Sequence, residues 1–165
     1  MLLAAVAVGG LFVVGSRSPK DPYLSGGRIP GFDEAVLKIL VAAPDSGVAP
    51  SGPCVAFAQT DAQIAKGLMT RKDLAGYPAM VFRFQTDSTE NFYNRDVPIA
   101  LSVSFYDKAG GWIAERQLEP CPDIEGCPLV ASPTTYRYVV ETEKGRQGAL
   151  GLGAGSRISV TPGCG

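Results

Sequence analysis

Few side chains in this sequence can do covalent or acid–base chemistry, and histidine is not among them. None occurs in 165 residues, and imidazole is the commonest general base and metal ligand near neutral pH. Ser-His-Asp triads, Cys-His dyads and HExxH zinc sites are thereby excluded. Carboxylates and thiols remain. Asp87, Glu90, Asp96, Asp107 and Glu141 are the acids available to a carboxylate-based hydrolase. Glycoside hydrolysis needs two such groups roughly 5 to 10 Å apart across a cleft. A Ser-Lys dyad also needs no imidazole, so an enzyme stays open as the less favoured class, and no catalytic residue is assigned.

The four thiols read as structural. Cys121 and Cys127 flank a short loop bounded by prolines (PCPDIEGCP), which holds two sulfurs near each other. Cys54 opens the first well-patterned strand, and Cys164 lies just past the last one. Four cysteines allow three pairings, and sequence proximity favours Cys121 with Cys127 and Cys54 with Cys164. In the chain-entropy view the longer loop contributes roughly 4 to 5 kcal/mol and the shorter about 2. A structural zinc would show paired C-x₂₋₄-C knuckles, and a redox dithiol would show C-x-x-C at a helix N-terminus. Neither spacing is present, so no metal is assigned, and thiol-redox chemistry stands as a lesser alternative.

Composition bounds the partners. The net charge of −1, with acids and bases interspersed, offers no basic stripe for a phosphate backbone, so nucleic acid is not expected. The stretch GALGLGAG at 148–155 resembles a dinucleotide fingerprint only superficially. It lacks the long helix and the later acidic partner of that motif, so it reads as a turn and no cofactor is implied. The ligand classes left are an unidentified small molecule, a glycan, a peptide or an envelope protein, with the chain acting as a monomer.

Residues 2–14 form a nearly pure apolar run followed by Gly15-Ser16. That length suits the core of a signal peptide better than a membrane-spanning helix. Residues 1–16 are therefore read as a signal peptide or short anchor, with 2–15 as the membrane tether if it is retained. Residues 17–30, rich in Ser, Pro and Gly, read as a linker, and 31–165 as one domain. The leader, the linker and the cysteines together point to export, extracellular or at the cell envelope.

The domain must then position its polar groups on short elements. Twenty glycines and 13 prolines with only 19% charged residues suit strands and turns better than long surface helices. Alternation places strands at 36–41, 54–60, 80–84, 99–106, 112–118, 136–143 and 157–161, with 80–84 burying its even-numbered positions. Thr60 and Gln63 make a T-x-x-Q capping box for one short helix, which Gly67 ends early. Asp107 to Gly111 (DKAGG) reads as a hairpin turn. The expected class is α+β and β-rich: a compact twisted antiparallel sheet or partly open barrel of about seven strands with one short helix.

Several stretches carry a resemblance. The run AQTDAQIAKGLMTRKDL (58–74) is similar to a signature in which a strand ending A-x-T leads into a short helix and then GLM-x-R-x-x-L. YPAMVFRF (77–84) is similar to GM-x-F-x-F, and FYNRDVPIALSVSFYD (92–107) aligns on F-W-M-K-N-T-x-I-P-L-D-x-x-F-x-D. YRYVVETEKG (136–145) is similar to R-Y-V-L-E-x-x-x-G. Together they resemble domain-of-unknown-function family 192 (DUF192), in the right order from Cys54 to Val160. The family's Asn-Thr falls here on Asp96-Val97, its Pro on Ala100 and its Asp on Ser102. The inserted cysteine loop resembles what an exported, actinobacterial-type branch would carry. The resemblance implies a compact β-rich α+β domain and supplies no enzymatic activity. It places Arg71, Tyr93, Arg95 and Asp96 at motif positions, where polar and aromatic groups can line a ligand groove. An Arg95–Asp96 ion pair is the structural alternative, and Met69, Met80, Phe82 and Phe92 are expected in the core. The reading that results is a non-catalytic binding or structural module of the envelope.

Overall fold

A computed structural model describes residues 29–40, 52–122 and 126–164. The expected leader (1–16) and nearly all of the linker (17–30) lie outside the described residues. The elements run β1 (Asp33–Leu40), β2 (Cys54–Ala58), α1 (Asp61–Lys66), β3 (Met80–Ser88), β4 (Leu101–Tyr106), β5 (Trp112–Leu118), β6 (Tyr136–Glu143) and β7 (Arg157–Pro162). A single 3-10 turn, Gly148–Leu150, lies between the last two strands. It falls in the GALGLGAG stretch, which is a turn as its glycines suggested.

The seven strands form one sheet in the order β5-β4-β6-β3-β2-β1-β7. All neighbours are antiparallel except β2 and β3, which run parallel with Phe57 opposite Val81. A parallel pair needs a crossover connection, and α1 with the long turn after it provides that connection. The sheet is therefore mixed and curled into a half-barrel. Its two ends approach each other where Trp112 N donates to Ser156 O at 3.1 Å and Ile158 N to Gly110 O at 2.8 Å.

Alternation divides the strand side chains between two faces, and both are covered. Met80, Phe82, Leu101, Val103, Phe105 and Val139 share one core with Leu68, Leu74 and Val97 from the segments laid over that face. Leu37, Phe57, Val81, Tyr106, Val140 and Ile158 make the second core. Odd as well as even positions of β3 are thus buried at its start, Val81 along with Met80 and Phe82. The strand has no solvent face there because the curl of the sheet covers its other side. Met80 and Phe82 are buried as expected, while Phe92 is half-buried against the first core and Met69, expected in the core, is only half-buried and lines a small cavity instead.

Helix α1 starts where its cap specifies. Thr60 Oγ1 accepts from Gln63 N at 3.3 Å, and Gln63 Oε1 accepts from Thr60 N at 3.1 Å. Two otherwise orphaned donors are satisfied reciprocally. Gly67 ends the helix at φ 45°. At the β4–β5 hairpin, Asp107 Oδ1 accepts from Ala109 N at 2.7 Å and Gly111 N at 2.8 Å, and Gly110 takes φ 78°.

Candidate functional site

The family-like stretches converge on one side of the first core. The turn after α1 and the 92–98 segment lie side by side, joined by a hydrogen bond from Thr70 N to Asp96 O at 2.8 Å. The same segment is held from its other edge by Asp96 N donating to Cys121 O at 2.9 Å. Both Thr70 and Asp96 adopt left-handed backbone, φ 69° and 56°. For a β-branched residue such as threonine this is a genuine outlier.

A cleft of about 720 Å³ opens between these segments. Arg71 and Lys72 line one wall, Asp96 and Pro98 the other, with Pro120 and Cys121 between them. Arg71 is steadied by its own turn, its Nε donating to Asp73 O at 3.4 Å and its guanidinium 3.8 Å from the Asp73 carboxylate. Asp73 also accepts from Ala75 N at 2.9 Å, so its carboxylate serves the turn.

Of the four residues singled out from sequence, Arg71 and Asp96 therefore meet in this cleft. Tyr93, 42% exposed, lines a second and smaller cavity. Arg95 is exposed and lines neither, although its backbone bridges to Cys121. Both cysteine pairs form as expected, Cys54 with Cys164 and Cys121 with Cys127. Cys121 sits on the lip of the large cleft, so the short bridge is part of its wall. Among the described residues, one three-donor cluster of metal-ligating types exists, Glu34 with Cys54 and Cys164. Two of its members are joined in the disulfide and offer no thiolate.

The second cavity, about 120 Å³, lies behind the 92–97 segment and against α1, with Val97 lining both spaces. Three phenylalanines contribute to its walls, with the Phe92 ring edge to face against Phe82 and Phe84 at centroid distances of 5.5 and 6.3 Å. Two buried polar groups reach it, Asn94 and Glu141. Asn94 spends its amide donors on Ile99 O at 2.7 Å and Glu119 O at 3.1 Å, which leaves Oδ1 without a partner. Glu141 stands on β6 opposite Met80 of β3 and Val103 of β4, on the apolar face. Burial alone pushes its carboxyl up to about 8, because removal from water penalises the charged form.

The remaining acids named from sequence are dispersed. Asp87 pairs with Arg137 at 2.8 Å on the surface, Asp107 caps the hairpin turn, and Glu90 lines the small cavity with Glu141. Sequence reading missed Asn94. Its signal was available: it occupies the methionine position of F-W-M-K-N, where a polar residue in a buried place requires partners.

Comparison with known proteins agrees with this architecture. A crystal structure from Sinorhizobium meliloti 1021, provisionally described as a transcription regulator, is similar at TM-score 0.62 and 21% identity, over 81% of this chain and 98% of that one. A protein of unknown function from Novosphingobium aromaticivorans DSM 12444 is similar at TM-score 0.59 and 16% identity, over 86% and 98%. At such identities the likeness concerns the fold alone. No curated protein matches. The family model DUF192, Uncharacterized ACR, matches residues 46–160, the span that carries both cavities, and the chain belongs to that family.

Proposed function

We propose that the protein is an exported, non-catalytic binding module of the cell envelope whose ligand, a glycan or peptide, lies in the cleft between Arg71 and Asp96. The observation carrying this reading is the strained backbone on the cleft walls. Thr70 and Asp96, both left-handed and bonded to each other, line the same space. Such conformations cost on the order of 1 to 3 kcal/mol each and concentrate at ligand sites. Arg71 and Lys72 supply positive charge, Asp96 negative charge, and the prolines a rigid apolar surface. That mixture suits a polar chain with an apolar side. Export is supported by the apolar leader and by two disulfides, which persist in oxidising compartments. Among the described residues no helix is long and apolar enough to cross a membrane.

A glycan and peptide binding screen on the full oxidised chain tests this reading, with Arg71→Ala, Tyr93→Ala and Arg95→Ala alongside. Loss of a charged hydrogen-bond donor in Arg71→Ala should weaken binding about ten-fold or more. Binding unchanged in Arg71→Ala would remove the cleft, whatever the two variants outside it do.

Two other readings each have one supporting observation. A carboxylate-based hydrolase of envelope polysaccharide is favoured by Glu90 and Glu141 lining one cavity, with Glu141 held protonated as an acid catalyst would be. That cavity, at about 120 Å³, is far smaller than the cleft of about 720 Å³ and too small for a polysaccharide segment, so binding is preferred over hydrolysis. A thiol-redox role draws on Cys121 at the cleft lip. It requires turnover in a disulfide-reduction assay with a dithiol donor, and no turnover removes it.

A further inference from the structure

The small cavity behind the 92–97 segment holds a buried acceptor without a donor beside two carboxyl groups. Asn94 is 2% exposed, and its one uncommitted atom, Oδ1, accepts nothing. Glu141 is 4% exposed, and among the described residues no cation or hydrogen bond offsets its burial. Glu90 adds a second carboxylate, from an exposed position. Among the described residues Lys66 is the one cation lining the space, and its Nζ is turned to Thr70 Oγ1 at 3.3 Å. The other walls include the rings of Phe82, Phe84 and Phe92, whose faces attract cations.

We infer that this cavity is a binding site for a primary alkylammonium group, the kind of group that ends a lysine side chain, a polyamine or another linear amine. Three observations select that chemistry. Asn94 Oδ1 calls for an N–H donor, as does the Glu141 carboxylate once it is ionised, and an ammonium carries three donors and no acceptor. Glu141 lacks a counter-charge that an ammonium supplies, and a buried charge is tolerated when paired and hydrogen-bonded. A cavity of about 120 Å³ suits a short methylene chain with its head group. The site is distinct from the Arg71 cleft and stands whether or not that cleft binds a glycan or peptide.

The probes are n-butylammonium chloride and 1-butanol, which match in length and differ in the charged head. Each is titrated into the full oxidised chain at about pH 8.5, above the Glu141 value and below that of an alkylamine, and followed by amide NMR. Butylammonium is expected to move the signals of Gly67, Phe92 and the Asn94 side-chain amide, and 1-butanol to leave them in place. Glu141→Gln, which keeps the shape and removes the charge, should weaken the amine at least about ten-fold. If neither probe binds, the cavity holds water only and the inference fails. Equal binding of both probes, or amine binding unchanged in Glu141→Gln, overturns it as well. The amine-against-alcohol contrast in the unaltered protein decides the matter even if the variant does not fold.

Discussion

Glu141 is the residue whose setting has the plainest consequence. Its carboxyl titrates at about 8 when folded, against 4.5 when free. Between those values the folded chain holds a proton that the unfolded chain has released, so stability falls as pH rises through that window. The slope is about 1.4 kcal/mol per pH unit from this group, flat below the free value and flat again above the folded one. Glu141→Gln should remove the fall, which urea unfolding of both proteins between pH 5 and 8 will show; parallel curves would refute the assignment. Thr70 offers an opposite test. Its left-handed backbone is strained for a branched side chain and free for glycine. Thr70→Gly should therefore stabilise by about 1 kcal/mol, read as a rise in thermal midpoint, at the expense of order in the adjoining cleft.

At the scale of elements, the two disulfides do unequal work. Cys54–Cys164 spans 110 residues and ties β2 to the segment following β7, the two strands that flank β1. Cys121–Cys127 spans 6 and fastens a loop to the cleft wall. Loop-closure entropy assigns about 5 kcal/mol to the first and about 2 to the second. Replacing Cys54 and Cys164 together by alanine should cost roughly twice what replacing Cys121 and Cys127 costs, measured by urea denaturation. Equal losses would show that strain or residual structure outweighs chain entropy. The α1 cap belongs to the same scale, being fully determined within four residues. Thr60→Ala should cost about 1 kcal/mol.

Across the whole molecule, the curl of the sheet depends on a close approach that only glycine allows. A Cβ at Gly110 would lie 2.0 Å from Ile158 O, at a backbone φ of 78°. Gly110 O is also the acceptor that receives Ile158 N. Gly110→Ala must therefore separate the β4–β5 hairpin from β7, with an expected cost on the order of 2 kcal/mol or more. Amide exchange at Ile158 and Trp112 should accelerate while that of α1 stays unchanged. Unaltered exchange at those two amides would mean that the hairpin contact does not hold the curl together.

What the sequence determined by itself is what short-range physics controls. Seven strands, the Thr60–Gln63 cap, the Asp107 hairpin turn and the Cys121–Cys127 pair were legible, because alternation, capping and turn chemistry act over a few residues and the family-like stretches fixed their order; Cys54–Cys164, 110 residues apart, was legible only as the pair left over. The tertiary structure decided what depends on strands meeting across the sheet. The parallel pairing of β2 with β3 follows from how the α1 connection crosses, and the burial of Val81 beside Met80 and Phe82 follows from the curl. The site divided for the same reason. Arg71 and Asp96, 25 positions apart in the sequence, meet because the 92–98 segment bonds to the turn after α1, and Tyr93 turns to the other cavity. Glu141 was visible as one acid among several. Only the packing of Met80 and Val103 beside it, with Asn94 lining the same cavity, made it a buried, uncompensated carboxyl, since desolvation is set by neighbours that the chain brings from far away.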